Sequence, residues 1–452
     1  MKECNSTEIT TLFSGSALRR LIIPLLIEQV LVVAVGMIDV MMISFAGEAA
    51  VSGVSLVDMI AVIMIDIFAA LGTGGAVICS QMVGAGNREK ARDVAGQLCV
   101  LCVLISSAAT LACLCLRVPL LRLFFGSIEE DVMQSAVTYF TITALSYPFL
   151  ALYNACAAVY RAAGDSRRGM MTSMWMNLIN IAGNAVFIFV FHIEVAGVAL
   201  ATLISRVVAA LMITRHMSSE KAPIRLPEWR KLRLERSMVR RILHIGVPNG
   251  LENGFFDLGR ALVVSIIATF GTVQIAANAV ANSLDSLGCL PGRAMNLAML
   301  TVVGQLIGAG AIDQVRVYVK KLLRITYAMM ITLNICILVP LPLIMKLYPG
   351  LSPEARDLTM LLVYIHNGFA SLLWPLSFTL PNALRAAGDV RYTMTVSIVS
   401  MAVCRIALSV VLGSMLGLGA LGGWYAMLVD WVVRITCFIV RFERGKWKTM
   451  KV

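Results

Sequence analysis

Twelve apolar stretches, each long enough to cross about 30 Å of hydrocarbon as a helix, recur along the chain at roughly 18–45, 51–82, 93–116, 132–160, 169–192, 195–215, 240–270, 273–308, 317–345, 357–384, 392–413 and 418–440. Composition agrees, with 59% hydrophobic and 14% charged residues in 452, against about 25% charged in an ordinary soluble domain. We expect an all-α integral membrane protein with twelve transmembrane helices. Residues 1–16 carry Glu3, Asn5 and Glu8 rather than a basic region feeding a short apolar core, so no cleaved signal peptide is expected.

The net charge of +12 raises the question of nucleic acid, but its placement answers it. Of 38 Lys and Arg, 29 fall on the face shared by both termini, 4 on the opposite face (Arg117, Arg122, Lys346, Arg356) and 5 within apolar stretches. Positive charge collects on the cytoplasmic side. The expectation is a multi-pass protein of the cell (plasma) membrane with both termini in the cytoplasm, the lipid bilayer as its surroundings and no nucleic-acid partner. The cysteines and the four histidines follow no metal or disulfide spacing.

The chain also repeats itself. Ser80-Gln-Met-Val-Gly-Ala-Gly-Asn-Arg-Glu-Lys-Ala-Arg92 resembles Gly304-Gln-Leu-Ile-Gly-Ala-Gly-Ala-Ile-Asp-Gln-Val-Arg316, and Arg161-Ala-Ala-Gly-Asp-Ser-Arg167 resembles Arg385-Ala-Ala-Gly-Asp-Val-Arg391, both at an offset of 224. The same offset sets Pro24 on Pro248 and Glu28 on Glu252. Each half has an even number of spans, so the halves share one orientation, related by an axis along the membrane normal. We expect two pseudo-symmetric six-helix bundles: an N-terminal lobe over 1–216, a basic cytoplasmic linker over 217–238 and a C-terminal lobe over 239–452.

Polar residues inside the apolar stretches are the functional candidates, because a charge in hydrocarbon costs at least about 2.5 kcal/mol and is kept for a reason. The first stretch holds Pro24, Glu28 and Asp39. Pro24 removes a helical hydrogen bond, making either a static kink or a moving hinge. Asp39 lies about 28 Å beyond Arg20 along a helix, in the outer half. Asn177, Asn180 and Asn184 share one face of the fifth stretch, and Asn184 and Thr202 reach a depth like that of Asp39. Asp39, Asn180, Asn184 and Thr202 are grouped on that ground as a cation or proton site; amide and hydroxyl oxygens can complete a Na⁺ shell or hydrogen-bond a protonated carboxyl. Interhelical glue is the other reading of the amides. Glu28, Glu252, Asp257 and Asp285 are secondary candidates. Asp257 with Arg260, and Asp430 with Arg434, are spaced for pairing within a helix, with cavity-lining charge as the alternative.

With these marks in view, namely Ile23-Pro24, Gly36-Met-Ile-Asp39, the turn over 81–92, Arg161-Ala-Ala-Gly-Asp165, Gly197-Val-Ala-Leu-Ala-Thr202, Gly246-Val-Pro248 and Arg385-Ala-Ala-Gly-Asp389, the chain resembles the multidrug and toxic compound extrusion (MATE) transporters in their prokaryotic branch, over essentially its whole length. The resemblance implies a V-shaped pair of six-helix lobes exporting organic, often cationic, small molecules in exchange for H⁺ or Na⁺ by alternating access. It implies no enzyme activity and no cofactor beyond the coupling ion; a monomer is expected. By position, Asp39 looks like the coupling carboxylate, Asn180 and Thr202 like its partners (with Na⁺ held by Asp39, Asn180 and Thr202 as one form of the site), and Pro24 like the proline at which the first helix bends. Where many relatives carry a second acid, this chain has Asn184, which weakens cation coordination. The alternative is a flippase for lipid-linked saccharides, expected to show a strongly cationic central cavity. An intramembrane enzyme would need paired carboxylates, a zinc motif or a positioned nucleophile, and none is found.

Overall fold

The computed structural model describes residues 12–126, 129–227 and 234–450; the stretch read for a signal peptide lies largely outside them, as does part of the expected linker. The described residues hold helices and no strand. Lipid offers no partner for backbone N–H and C=O groups, and a helix satisfies them internally.

The first half comprises α1 (Gly15–Ile43), α2 (Glu48–Gly84), α3 (Arg88–Phe125), α4 (Glu130–Leu145), α5 (Tyr147–Ala162), α6 (Ser166–Ala185) and α7 (Val195–Ser218). The second comprises α8 (Arg236–Ala268), α9 (Thr272–Gly288), α10 (Leu290–Gly308), α11 (Ile312–Leu338), the short α12 (Leu341–Ile344), α13 (Pro353–Trp374), α14 (Leu380–Ala386), α15 (Val390–Ser400) and α16 (Ala420–Glu443). Wide π-helical turns extend α6 over Val186–Val190, join α13 to α14 over Pro375–Thr379, and extend α15 over Met401–Ala407 and Val410–Met415.

Nine helices among the described residues are long and apolar enough to cross a membrane, and two bent pairs bring the total to eleven. The twelfth expected span is α8, which is 33 residues long but interrupted by Glu252, Asp257 and Arg260. Both bends are written in the sequence. The stretch over 132–160 turns by 46° between α4 and α5, and that over 273–308 by 43° between α9 and α10. Pro148 and Pro291 stand at the start of the second helix in each pair, where the ring removes a hydrogen bond and crowds the preceding turn.

The repeated motifs become repeated turns. Gly86 and Gly310 end their helices at φ +72° and +71°, and Gly164 and Gly388 at +86° and +91°, a left-handed conformation that glycine adopts without penalty. At this end of the molecule, where the first and last described residues also pack, the halves interlock. Gln81 Nε2 donates to the Ala386 carbonyl at 2.8 Å, and Gln305 Nε2 donates to the Ala162 carbonyl at 2.7 Å; the two bonds are copies of each other under the offset of 224. A methyl group at Gly84 would overlap the backbone of Gln305, one at Gly308 the backbone of Gln81, and one at Gly74 the α8 backbone at Ile242 and Gly246. One hydrophobic core runs through both halves here, from Leu18 and Val77 to Met299, Leu384 and Phe438. A second core, around Ile267, Leu284, Leu362, Trp424 and Trp431, belongs to the second half alone.

The close approach yields a prediction. Gly308→Leu cannot keep the α2–α10 contact, so a spin-label distance between Arg167→Cys and Arg391→Cys, on the two repeat turns, should lengthen; an unchanged distance would mean that the glycines do not control closure.

Candidate functional site

Four of the residues grouped by depth come together. Asn184 Nδ2 donates to Asp39 Oδ1 at 2.9 Å, Asn180 Nδ2 donates to Thr202 Oγ1 at 3.2 Å, and Asn184 Nδ2 lies 3.5 Å from Asn180 Oδ1. The chain links α1, α6 and α7 in the end of the first half remote from the termini. Small residues allow it, since Gly183 packs against Ala201 and Gly197 against Phe187, bringing α6 and α7 close enough for amide to reach hydroxyl. Asn180 and Asn184 are buried, and Asn184 Oδ1 has no donor. That oxygen is the chemically informative atom. A carboxylate is held by the amide N–H; a protonated carboxyl is held by the amide oxygen, so a turn of one side chain serves both forms. Oxygen donors from Asp39, Asn180, Asn184 and Thr202 are also the hard ligands Na⁺ takes. Among the described residues no group of three His, Cys, Asp or Glu could hold a metal.

Three neighbours escaped the sequence reading. Asp58 on α2 lies within electrostatic reach of Asp39, as does Arg206 on α7. Tyr139 donates to Asp58 Oδ1 at 3.4 Å, and Arg206 Nη1 donates to Ser146 Oγ at 2.7 Å. Thr202 and Arg206 stand four apart on α7, one turn of helix, and that spacing was the available signal. Asn177, on the same face as the other amides, has a buried Nδ2 with no partner and is not part of the linked set. Pro24 is buried, and α1 continues through it without interruption.

The secondary candidates stand elsewhere. Glu28 is 3.8 Å from Arg161 Nη1, and Glu252 is 2.5 Å from Arg385 Nη2 and 3.7 Å from Arg434 Nη2. Under the offset of 224, Glu28 with Arg161 and Glu252 with Arg385 are one ion pair made twice, tying the first helix of each half to its Arg-Ala-Ala-Gly-Asp turn. Asp257 meets Asp66 of α2 across the contact between the halves, with Arg293 beside them. Asp285 Oδ1 is 3.1 Å from His366 Nδ1 and accepts from Cys289 Sγ at 3.1 Å. The pairs expected within helices do not form: Arg260 and Asp257 make no ion pair within 4 Å among the described residues, and Arg434 turns to Glu252 while both oxygens of the fully buried Asp430 lack a hydrogen-bond partner. Tertiary neighbours outbid local spacing.

Among aromatic residues within the apolar stretches, Tyr147, Tyr153 and Trp374 are buried, whereas Phe255 and Tyr364 are exposed. A cavity of about 270 Å³ is lined by α8, α9, the π-helical turn after α15, and α16, including Trp424.

A bundle of long apolar helices in two repeated halves, with a half-buried carboxylate linked to amides and a hydroxyl, defines a multi-pass membrane transporter rather than an enzyme. The comparisons specify which kind. The MatE family model matches residues 24–186 and again 248–411, two blocks that begin 224 positions apart, and the chain belongs to that family of prokaryotic and eukaryotic multidrug and toxin extrusion (MATE) transporters. It is 26% identical over 446 residues to the probable multidrug resistance protein NorM of Thermotoga maritima, covering 96% of this chain and 93% of that protein. It is 25% identical over 438 residues to the uncharacterized transporter YisQ of Bacillus subtilis, covering 94% and 93%. Its fold matches an outward-facing multidrug resistance MATE family transporter with a TM-score of 0.89 at 20% identity, covering 96% of each chain.

The two copies of the ion pair differ in geometry, and that carries a prediction. Glu252→Gln removes the carboxylate that Arg385 and the fully buried Arg434 share and should destabilise by about 3–5 kcal/mol, whereas Glu28→Gln, with its looser 3.8 Å contact, should lower the thermal midpoint of the detergent-solubilised protein much less. Equal losses would put the two pairs on the same footing.

Proposed function

We propose that the protein is a secondary active antiporter that exports small organic molecules across the cell membrane in exchange for H⁺ or Na⁺ by alternating access. The observation that carries this reading is the Asp39–Asn184–Asn180–Thr202 chain, set around two buried amides at one end of the first half while the two halves are locked together at the other. The lobes are 1–216 and 239–452, joined by the linker over 217–238, and the end carrying the termini is cytoplasmic, as the 29-to-4 distribution of basic residues supports. The protein works as a monomer, because each chain carries both lobes.

With the cytoplasmic end closed, the coupling ion reaches Asp39 from outside. Its binding removes the negative charge of the carboxylate and resets the hydrogen bonds of Asn184. The equilibrium between conformers then shifts by the difference in ion affinity between them; each pKa unit of difference contributes about 1.4 kcal/mol. Helix α1 carries the shift, since Pro24 leaves its ladder one hydrogen bond short and bending there costs little. Glu28, Glu252 and Asp285 have ion-pair partners and hold the frame; Asp257, against Asp66, is the remaining acid at the lobe contact.

The test is ethidium efflux from proteoliposomes under an imposed H⁺ gradient and, separately, a Na⁺ gradient. Wild type should move the dye under one of the two, which names the ion, and Asp39→Asn should abolish the gradient-driven component. A mutant that transports as well as wild type would remove Asp39 from the mechanism.

A further inference from the structure

The acidic cluster lies in the first half; the cavity of about 270 Å³ in the second half has the opposite character. Its lining contains two guanidinium groups, Arg260 and Arg405, two amides, Asn278 and Asn282, and no carboxylate. Arg405 is 8% exposed, and its Nε is buried without a hydrogen-bond partner. Its guanidinium is positioned by apolar contacts: the carbon at its centre lies 5.3 Å from the Phe256 ring centroid, and Nη2 is 3.0 Å from Met427 Sδ. Among the described residues, no carboxylate comes within 4 Å of either guanidinium. Asp430, the strongest opposite charge acting on Arg405, lies outside the lining.

The amides complete the pattern. Asn278 Oδ1 is occupied by Trp424 Nε1 at 2.9 Å, so what Asn278 has left to offer is its Nδ2–H. Asn282 spends an Nδ2–H on the Asn278 carbonyl at 2.8 Å, so the donors that set the character of the lining are the two charged guanidinium groups. Two like charges facing one cavity, one buried and one half-buried, favour a counter-charge between them, and guanidinium donors fit the paired oxygens of a carboxylate or phosphate. The remaining wall is aliphatic, with Val263, Ile267 and Ile275, closed by the Trp424 ring. We infer that this cavity is a binding site for a small organic oxyanion, an aromatic or aliphatic body bearing one carboxylate or phosphate, with the head group on Arg260 and Arg405 and the body against Trp424. The volume lies at the lower edge of drug-sized pockets, too small for a saccharide on a lipid pyrophosphate. As the substrate site of the antiporter, the inference rests on the reading above and adds a small organic anion to what the protein exports; as a binding site it stands alone.

The test is calorimetric binding to the detergent-purified full chain, with 7-hydroxycoumarin-3-carboxylate, its neutral carboxamide, 4-methylumbelliferyl phosphate and ethidium as probes. The carboxylate or the phosphate should bind at least about tenfold more tightly than the carboxamide, the advantage expected of a hydrogen bond to a charged group, and whichever of the two leads identifies the head group. Arg260→Gln and Arg405→Gln should each erase the advantage, and Arg260→Lys should restore part of it. Arg260 is only half-buried, so Arg260→Gln keeps the test open if the deeply buried Arg405 variant fails to fold. Equal binding of the carboxylate and the carboxamide, unchanged anion binding in Arg260→Gln, or tighter binding of ethidium would overturn the site. Arginine-dependent anion binding without transport of any probe under either ion gradient would instead overturn the antiport reading and leave the site standing.

Discussion

Everything in this molecule is referred to one contact, the reciprocal pair of hydrogen bonds from Gln81 to the Ala386 carbonyl and from Gln305 to the Ala162 carbonyl. Each half ends a helix in a Gly-Ala-Gly turn and lays it against the Arg-Ala-Ala-Gly-Asp turn of the other half. A polar side chain facing lipid would be costly, and here each glutamine is satisfied only by the opposite half. The bonds therefore hold when the halves are together, and separation must hand both amides and both carbonyls to water. Glu28 with Arg161 and Glu252 with Arg385 brace the same turns from within each half. The pseudo-symmetry is a symmetry of hydrogen bonds as well as of backbone.

Against that common frame, the remote ends have diverged. In the first half, α1, α6 and α7 present a carboxylate, two amides and a hydroxyl. In the second, the position equivalent to Asp39 is the aliphatic Val263, which lines a cavity whose charges are arginines. The π-helical turn over Met401–Ala407 carries one of those arginines; such wide turns displace side chains from the ordinary helical register and recur at functional sites. One half presents a carboxylate with neutral amide and hydroxyl groups and the other two guanidinium groups, on the same scaffold.

Much of this was readable from the chain, and the parts that were not share a cause. The offset of 224 located both turn motifs and the doubled ion pair, because a repeat preserves spacing. Counting residues from helix ends found the Asp39 group, because depth in a membrane is nearly linear in sequence at 1.5 Å per residue. The bends at Pro148 and Pro291 were overlooked although their cause is local. Asp257 with Arg260 and Asp430 with Arg434 were misjudged because spacing on one helix says which residues can meet, not which tertiary neighbour competes. Arg405, Trp424 and Asn278 come from three different elements, and no periodicity joins them; the cavity exists only after α9 and α16 pack.

The glycines at the contact between the halves have a further consequence for speed. Gly84 faces the backbone of Gln305, and Gly308 faces that of Gln81, so two stretches of backbone touch there with almost nothing hung between them. A seam built of long side chains must freeze each of them into one rotamer every time it shuts, at up to about 2 kcal/mol apiece. A seam built of glycine has no rotamers to freeze. It closes like a machined face rather than a zipper, with only the two glutamine side chains to set in place.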